Sequence, residues 1–225
     1  MAYCPNQNIL FIHIPKCAGK SFEVASGVIT KQESIKYNWR NNLNRLAKLI
    51  LSLTADKKSI GRLWGTYDIS LSLQHVTYAE IELLGLLDTF KLKKALKVAI
   101  VRNPYDRAVS LYHHHKEKSE TFLEFLNRFF TPDSKNHNFL AHKRNQLDFI
   151  RDKKGNIILD FVIRFENLNQ DFKAFSEYYE LNLSELPHIG KNKGRKTYQE
   201  YYCKVSKEIV ANLFSDDISY FDYTF

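Results

Sequence analysis

The stretch from Ile9 to Glu23, ILFIHIPKCAGKSFE, admits few folds. An apolar run from Ile9 to Ile14 stops at Pro15. A small-residue loop carrying Lys16, Gly19, Lys20 and Ser21 follows, and Phe22, Val24 and Ala25 open a new segment. This order predicts a buried strand that feeds a helix through a tight loop. Such a loop aims backbone N–H groups and lysines at one point beside the positive end of a helix. The expected ligand is a phosphate or sulfate ester, carried on a nucleotide.

The rest of the chain alternates in the same way. Lys97 to Val101 reads as a second buried strand, and Asp160 to Arg164 as a third after a Gly155-Asn156 turn. Helices are predicted at Ser21–Val28, Thr77–Leu86, Asp106–Lys118, Ser119–Asn127, Asn169–Tyr179 and Gln199–Phe214. Another is predicted over 40–53, where Leu43, Leu46, Ala47, Ile50 and Leu53 share one face. Strands alternating with helices imply an α/β fold, a three-layer sandwich around a central parallel sheet. Ligands of such sheets bind beyond the C-terminal strand ends, where the loops after Ile14 and Val101 both emerge. With 225 residues, 44% of them hydrophobic, the chain is expected to form a single domain, 1–225.

The first loop matches a nucleotide-kinase loop only in part. The pattern G-x-x-x-x-G-K-[ST] ends in Gly19-Lys20-Ser21, but Ile14 stands where its first glycine belongs. A kinase also needs magnesium, usually held by an acidic residue at the end of a neighbouring strand. Here Arg102 follows Val101. A cation there would repel magnesium and attract a second anionic group. Ser110, eight residues after Arg102, adds a hydroxyl on the next helix, and a guanidinium with a hydroxyl can grip a phosphate. Taken alone, the Asn-Pro-Tyr-Asp turn reads as a capped helix start served by Asp106.

Charge and cysteine usage narrow the setting. A net charge of +8 favours an anionic partner. Cys4, Cys17 and Cys203 are too few and too scattered for a disulfide scaffold or a zinc site. Residues 1–8 lack the basic start and apolar core of a signal peptide, and stretches such as Ile81–Leu87 are too short to span a bilayer. The expectation is a cytoplasmic protein with no transmembrane segment. Nothing in the sequence fixes its oligomeric state.

Together, FIHIPKCAGKSF and VAIVRNPYDRAVSLY resemble the two phosphate motifs of sulfotransferases that use 3′-phosphoadenosine 5′-phosphosulfate (PAPS), in their carbohydrate branch. FVIRFENLNQDF (161–172) and the closing ISYFDYTF look similar to further segments of that family. Cys17 and Lys20 stand where the family often has threonines. Many Golgi members carry an N-terminal anchor; none is expected here, and the expectation is a soluble bacterial-type enzyme.

The resemblance implies a P-loop-like sulfotransferase fold and a role for each matching residue. Lys16 would contact the 5′-phosphosulfate and stabilise the leaving phosphate. Ala18, Gly19, Lys20 and Ser21 would cradle the 5′-phosphate, and Arg102 and Ser110 the 3′-phosphate. Lys193, Gly194 and Arg195 could close over the nucleotide. His75, in SLQHVTYAEI, would be the base that takes the proton of a carbohydrate hydroxyl, in a reaction that needs no metal. Arg144, Gln146 and Glu166 are candidates to face the acceptor. Glu166 otherwise reads as a partner of Arg164 or a cap of the following helix. His13 reads as structural. His113–His115 reads as a partly solvated run, because consecutive helical residues diverge.

An acidic polysaccharide, a lipid-linked sugar or a small glycoside would each suit a basic, tyrosine-rich chain. Nucleic acid is not an expected partner. Two alternatives stay open from the residues: a P-loop small-molecule kinase, and a non-enzymatic module that binds anions or nucleic acid.

Overall fold

The computed structural model describes residues 2–28, 75–131, 141–187, 189 and 196–225. The helix predicted over 40–53, and Lys193, Gly194 and Arg195, lie outside the described residues.

Four strands form one sheet in the order β1-β2-β3-β4: β1 (Ala2–Cys4), β2 (Ile9–Ile12), β3 (Leu96–Val101) and β4 (Phe161–Arg164). β2, β3 and β4 run parallel, with Ile12 opposite Ala99 and Val101 opposite Arg164. All four β2 residues are buried, so both sheet faces are covered there. That is why the strand reads as an unbroken apolar run rather than an alternation. The edge strand β1 is antiparallel to β2, pairing Ala2 with Phe11, and adds to the expected parallel sheet. At three residues it is too short to show a pattern. Its return turn is fixed by Asn8, in the left-handed region at φ 51°, whose side chain accepts a bond from the Tyr3 hydroxyl at 3.0 Å.

The described helices are α1 (Gly19–Ala25), α2 (Tyr78–Leu84), α3 (Thr89–Lys94), α4 (Pro104–His115), α5 (Phe122–Phe129), α6 (Gln146–Phe149), α7 (Leu168–Tyr178), α8 (Lys204–Leu213) and α9 (Ser215–Phe221). α1 and α7 cover the same sheet face. Phe22 of α1 stacks on Phe11 of β2 at 4.2 Å and meets Phe172 of α7 edge-on at 5.7 Å. Phe22 is fully buried, which contributes about 2–3 kcal/mol. A second apolar cluster joins α4, α5 and α8 through Tyr112, Phe125 and Val210.

Local chemistry sets the boundaries. α2 and α5 begin with reciprocal Thr77/Glu80 and Thr121/Glu124 capping boxes. α4 begins at Pro104, two residues before the predicted start, because the Asn103 side chain accepts from the Tyr105 N–H. Asp106 does not serve as its cap. The single helix expected over 199–214 is broken. A short 3-10 turn covers Tyr198–Tyr201, and Ser206 Oγ then accepts from the Cys203 N–H to start α8.

Candidate active site

The loop after β2 is shaped by backbone conformation. Lys16 and Ala18 both adopt left-handed φ, 67° and 60°. Ala18 is followed directly by the first turn of α1, and a left-handed residue ahead of helical ones gathers successive N–H groups into a concave anion-binding surface. Gly19 is required for a steric reason. A Cβ at this position would clash with the imidazole ring of His13. Ser21 is buried, and Lys16 and Lys20 are half-buried.

The two motifs are joined by Arg102. Its Nη1 donates to the Lys16 carbonyl at 2.9 Å, while Nε and Nη2 hold Asp106 at 2.8 and 2.7 Å. Its guanidinium lies 3.9 Å from the Phe165 ring centroid. These bonds use one N–H on each of its three nitrogens, out of the five that a guanidinium carries. On α4, Asp106, Ser110 and His114 follow at four-residue intervals and so share a stripe. Ser110 is half-buried there.

His75 sits just before the Thr77 cap of α2, and its Nδ1 lies 3.0 Å from the His13 carbonyl oxygen. A carbonyl only accepts, so Nδ1 carries the hydrogen and the lone pair is on Nε2. Burial, reinforced by the nearby His13 and His142 rings, holds the His75 pKa well below the usual histidine value. A neutral imidazole with a free Nε2 can accept a proton near neutrality. Below it, the His13 Nδ1 lies 2.7 Å from Glu23 Oε1, both groups being buried.

His75 also opens a histidine cluster that the sequence reading did not foresee. Its ring is 5.4 Å from that of His142, whose Nδ1 is 2.6 Å from His115 Nε2. His114 is 5.8 Å from His142. His113 diverges to the Tyr201 hydroxyl at 3.0 Å. Consecutive helical residues do point apart, but the 141–145 segment folds over the end of α4 and meets two of the three.

The three acceptor candidates separate. Gln146 is fully buried, and its amide bonds the Arg102 N–H and carbonyl, both at 2.8 Å. Those bonds and its burial leave it no surface for an acceptor, which corrects its assignment. Glu166 accepts from the Asn103 N–H at 2.6 Å and from the Tyr223 hydroxyl at 3.3 Å. It therefore supports the start of α4 rather than the helix that follows it, and Arg164 turns instead to the Phe221 carbonyl at 2.8 Å. Glu166 is exposed, but its two carboxylate oxygens are engaged in these bonds. Arg144 stays half-buried near the His75 segment, paired with Glu80 at 2.8 Å.

A model of the Sulfotransferase family matches residues 1–224. The chain belongs to the sulfotransferase family. No curated protein and no solved structure matches it. Family membership makes sulfuryl transfer the general chemistry of the chain.

The main supports of this candidate site were not read from the sequence. Arg107 is fully buried, donating to the carbonyls of Pro15 at 3.2 Å, Arg144 at 3.0 Å and His142 at 3.4 Å. It ties the phosphate loop to the 141–144 segment. Burial lowers its pKa from the usual arginine value, opposed by the carboxylate of Asp217. Asp217 of α9 accepts the Gln146 and Leu147 N–H groups at 2.7 and 2.9 Å, fixing α6. Cys17 donates weakly to Gln146 Oε1 at 3.4 Å, and burial pushes its thiol up to about 12. The cysteine at the threonine position is therefore an inert packing group.

Proposed function

We propose that this sulfotransferase moves the sulfuryl group of PAPS to a carbohydrate hydroxyl, with His75 as the base. The observation that carries this reading is the 2.9 Å bond from Arg102 to the Lys16 carbonyl. It brings two cationic loops together beyond the C-terminal ends of adjacent parallel strands, where one ligand with two phosphates can bridge them.

Lys16 and the Ala18–Ser21 turn would hold the 5′-phosphosulfate end. The N–H groups of Arg102 outside its three bonds, with Ser110, would take the 3′-phosphate. Lys193, Gly194 and Arg195 are assigned to nucleotide closure on the sequence resemblance alone. When bound, PAPS supplies an activated sulfuryl group. His75 Nε2 removes the proton of the acceptor hydroxyl, while its Nδ1–H stays on the His13 carbonyl. Lys16 offsets charge growing on the phosphate side, a preorganised electrostatic role. Arg144 is the acceptor candidate that remains compatible with its surroundings. The fit is supported by the concave turn at Ala18 and by the lone pair on His75 Nε2.

A kinase reading finds no matching carboxylate at the end of β3, where Arg102 stands. A reducing, cytoplasmic setting suits Cys4, Cys17 and Cys203, which are all free thiols. No described helix is long and apolar enough to cross a membrane.

The test is a titration with adenosine 3′,5′-bisphosphate followed by transfer of labelled sulfate to glycans in the presence of a metal chelator. Saturable binding, a raised melting temperature and labelled glycan are expected. No binding and no thermal shift would sink the nucleotide reading.

A further inference from the structure

We propose that His114, His115 and His142 form a proton-accepting wall of the anion site, so that seating the nucleotide's phosphates draws protons from solvent onto these imidazoles. The proposal rests on the nucleotide-binding reading above.

The geometry places the three rings together. His114 and His115 touch at 4.5 Å between centroids, and His115 and His142 share the 2.6 Å nitrogen–nitrogen contact. His114 lies one turn beyond Ser110 on the same stripe of α4 and is exposed. His142 is buried, with its carbonyl held by Arg107. His115 is backed by the Phe129 ring at 4.9 Å and by Arg128 of α5, which donates to its carbonyl.

The field around these rings has one sign. From the loop and the start of α1 come Lys16 and Lys20. From α4 comes Arg107, and from α5 Arg128. Arg128 carries Glu117 and Glu120 as its own partners at 3.5 and 2.6 Å. Among the described residues, the charged groups that act on the three imidazoles are these cations. Burial first, and then these cations and the neighbouring rings, hold His115 down to about 4 and His142 well below the ordinary histidine value. His114 is lowered in the same direction by the protein around its ring and by Lys16 and Lys20.

A dianionic phosphate placed beside these lysines offsets that field, and a nearby opposite charge favours protonation. Hydrogen-bond counting limits the uptake. The His115–His142 contact needs one hydrogen between two nitrogens, so this pair can gain one proton on an outer nitrogen and keep its bond. His114 can gain another. A charge gained on His142, 5.4 Å from His75, also keeps His75 uncharged and able to act as a base. The wall would thus strengthen anion binding without protonating the base.

Calorimetric titration with adenosine 3′,5′-bisphosphate at pH 6, in two buffers of different ionisation enthalpy, measures the protons exchanged. The wild type is expected to take up about one proton more than the His114→Gln/His115→Gln variant, because the nucleotide's own phosphate contributes equally to both. Equal exchange in both proteins overturns the proposal and leaves the nucleotide reading intact. No binding heat in the wild type overturns both. Nitrogen-15 spectra of histidine-labelled wild type, free and bound at pH 6, give the same answer without a variant. New imidazolium signals on binding support the wall, and unchanged neutral-ring signals refute it.

Discussion

Arg102 Nη1 and the carbonyl oxygen of Lys16 are 2.9 Å apart, so the side chain just after β3 holds the loop that follows β2. Arg102→Ala removes this tie and the Arg102–Asp106 ion pair. A loss of about 3 kcal/mol of stability is expected, from breaking a largely buried charge pair. Arg102→Lys keeps the charge but not the fork, and should lose nucleotide affinity with a smaller loss of stability. Melting curves and bisphosphate titrations of the two variants separate the roles. Equal affinity in Arg102→Lys and wild type would dismiss the phosphate assignment.

Gly19→Ala drives a methyl group into the His13 ring. The ring is fixed by Glu23 at 2.7 Å, so it cannot swing away without breaking a buried pair. Overpacking should cost about 1–3 kcal/mol and weaken bisphosphate binding. Gly27→Ala is the control. Nothing lies near the added methyl there, and only the positive φ of 73° is penalised, by about 1 kcal/mol. Its binding should be unchanged.

His75→Ala should lower turnover by about 10²–10⁴-fold while bisphosphate affinity stays constant. The pH profile carries a second signature. His75 must be neutral to act, and its pKa lies well below 6.5. The acid limb of kcat is therefore expected below pH 6.5. An acid limb at or above that value would assign the base elsewhere.

Acid stability of the free protein follows from the same cluster. His115 and His142 are held neutral in the folded state, and the unfolded chain binds protons at the ordinary value of 6.5. Between pH 6.5 and about 4, the unfolded state therefore binds more protons, and stability falls as pH falls through this window. The contribution is complete above pH 6.5. Melting temperatures taken across the window should decline in wild type and less steeply in His115→Gln. Parallel declines would remove these rings from the explanation.

Much of the sheet was legible because β2 and the last four residues of β3 are buried and carry uninterrupted apolar runs. The loops were legible because lysine, arginine and glycine at strand ends have few other uses. The short strand β1 was not, since three residues hold no period. The break before α8 depends on one Ser206 hydroxyl reaching back to Cys203, which competes with an otherwise continuous helical pattern. Gln146 was misread for a general reason. A polar residue in a polar stretch looks exposed, and only the tertiary fold shows that its amide substitutes for a missing strand against Arg102. The histidine cluster comes from four separate stretches, around residues 13, 75, 114–115 and 142. No spacing rule connects them until α4 and the 141–145 segment meet.

Arg107 bonds three carbonyls from two distant segments, at Pro15 and at His142 and Arg144. Libraries that randomise 141–144 to redirect the enzyme toward new acceptors would therefore also disturb the loop at Pro15 that is proposed to cradle the nucleotide. Selection for a new product in this scaffold is best run with Arg107 and the carbonyl geometry of His142 and Arg144 left untouched, and with side-chain diversity confined to positions that do not share that crosslink.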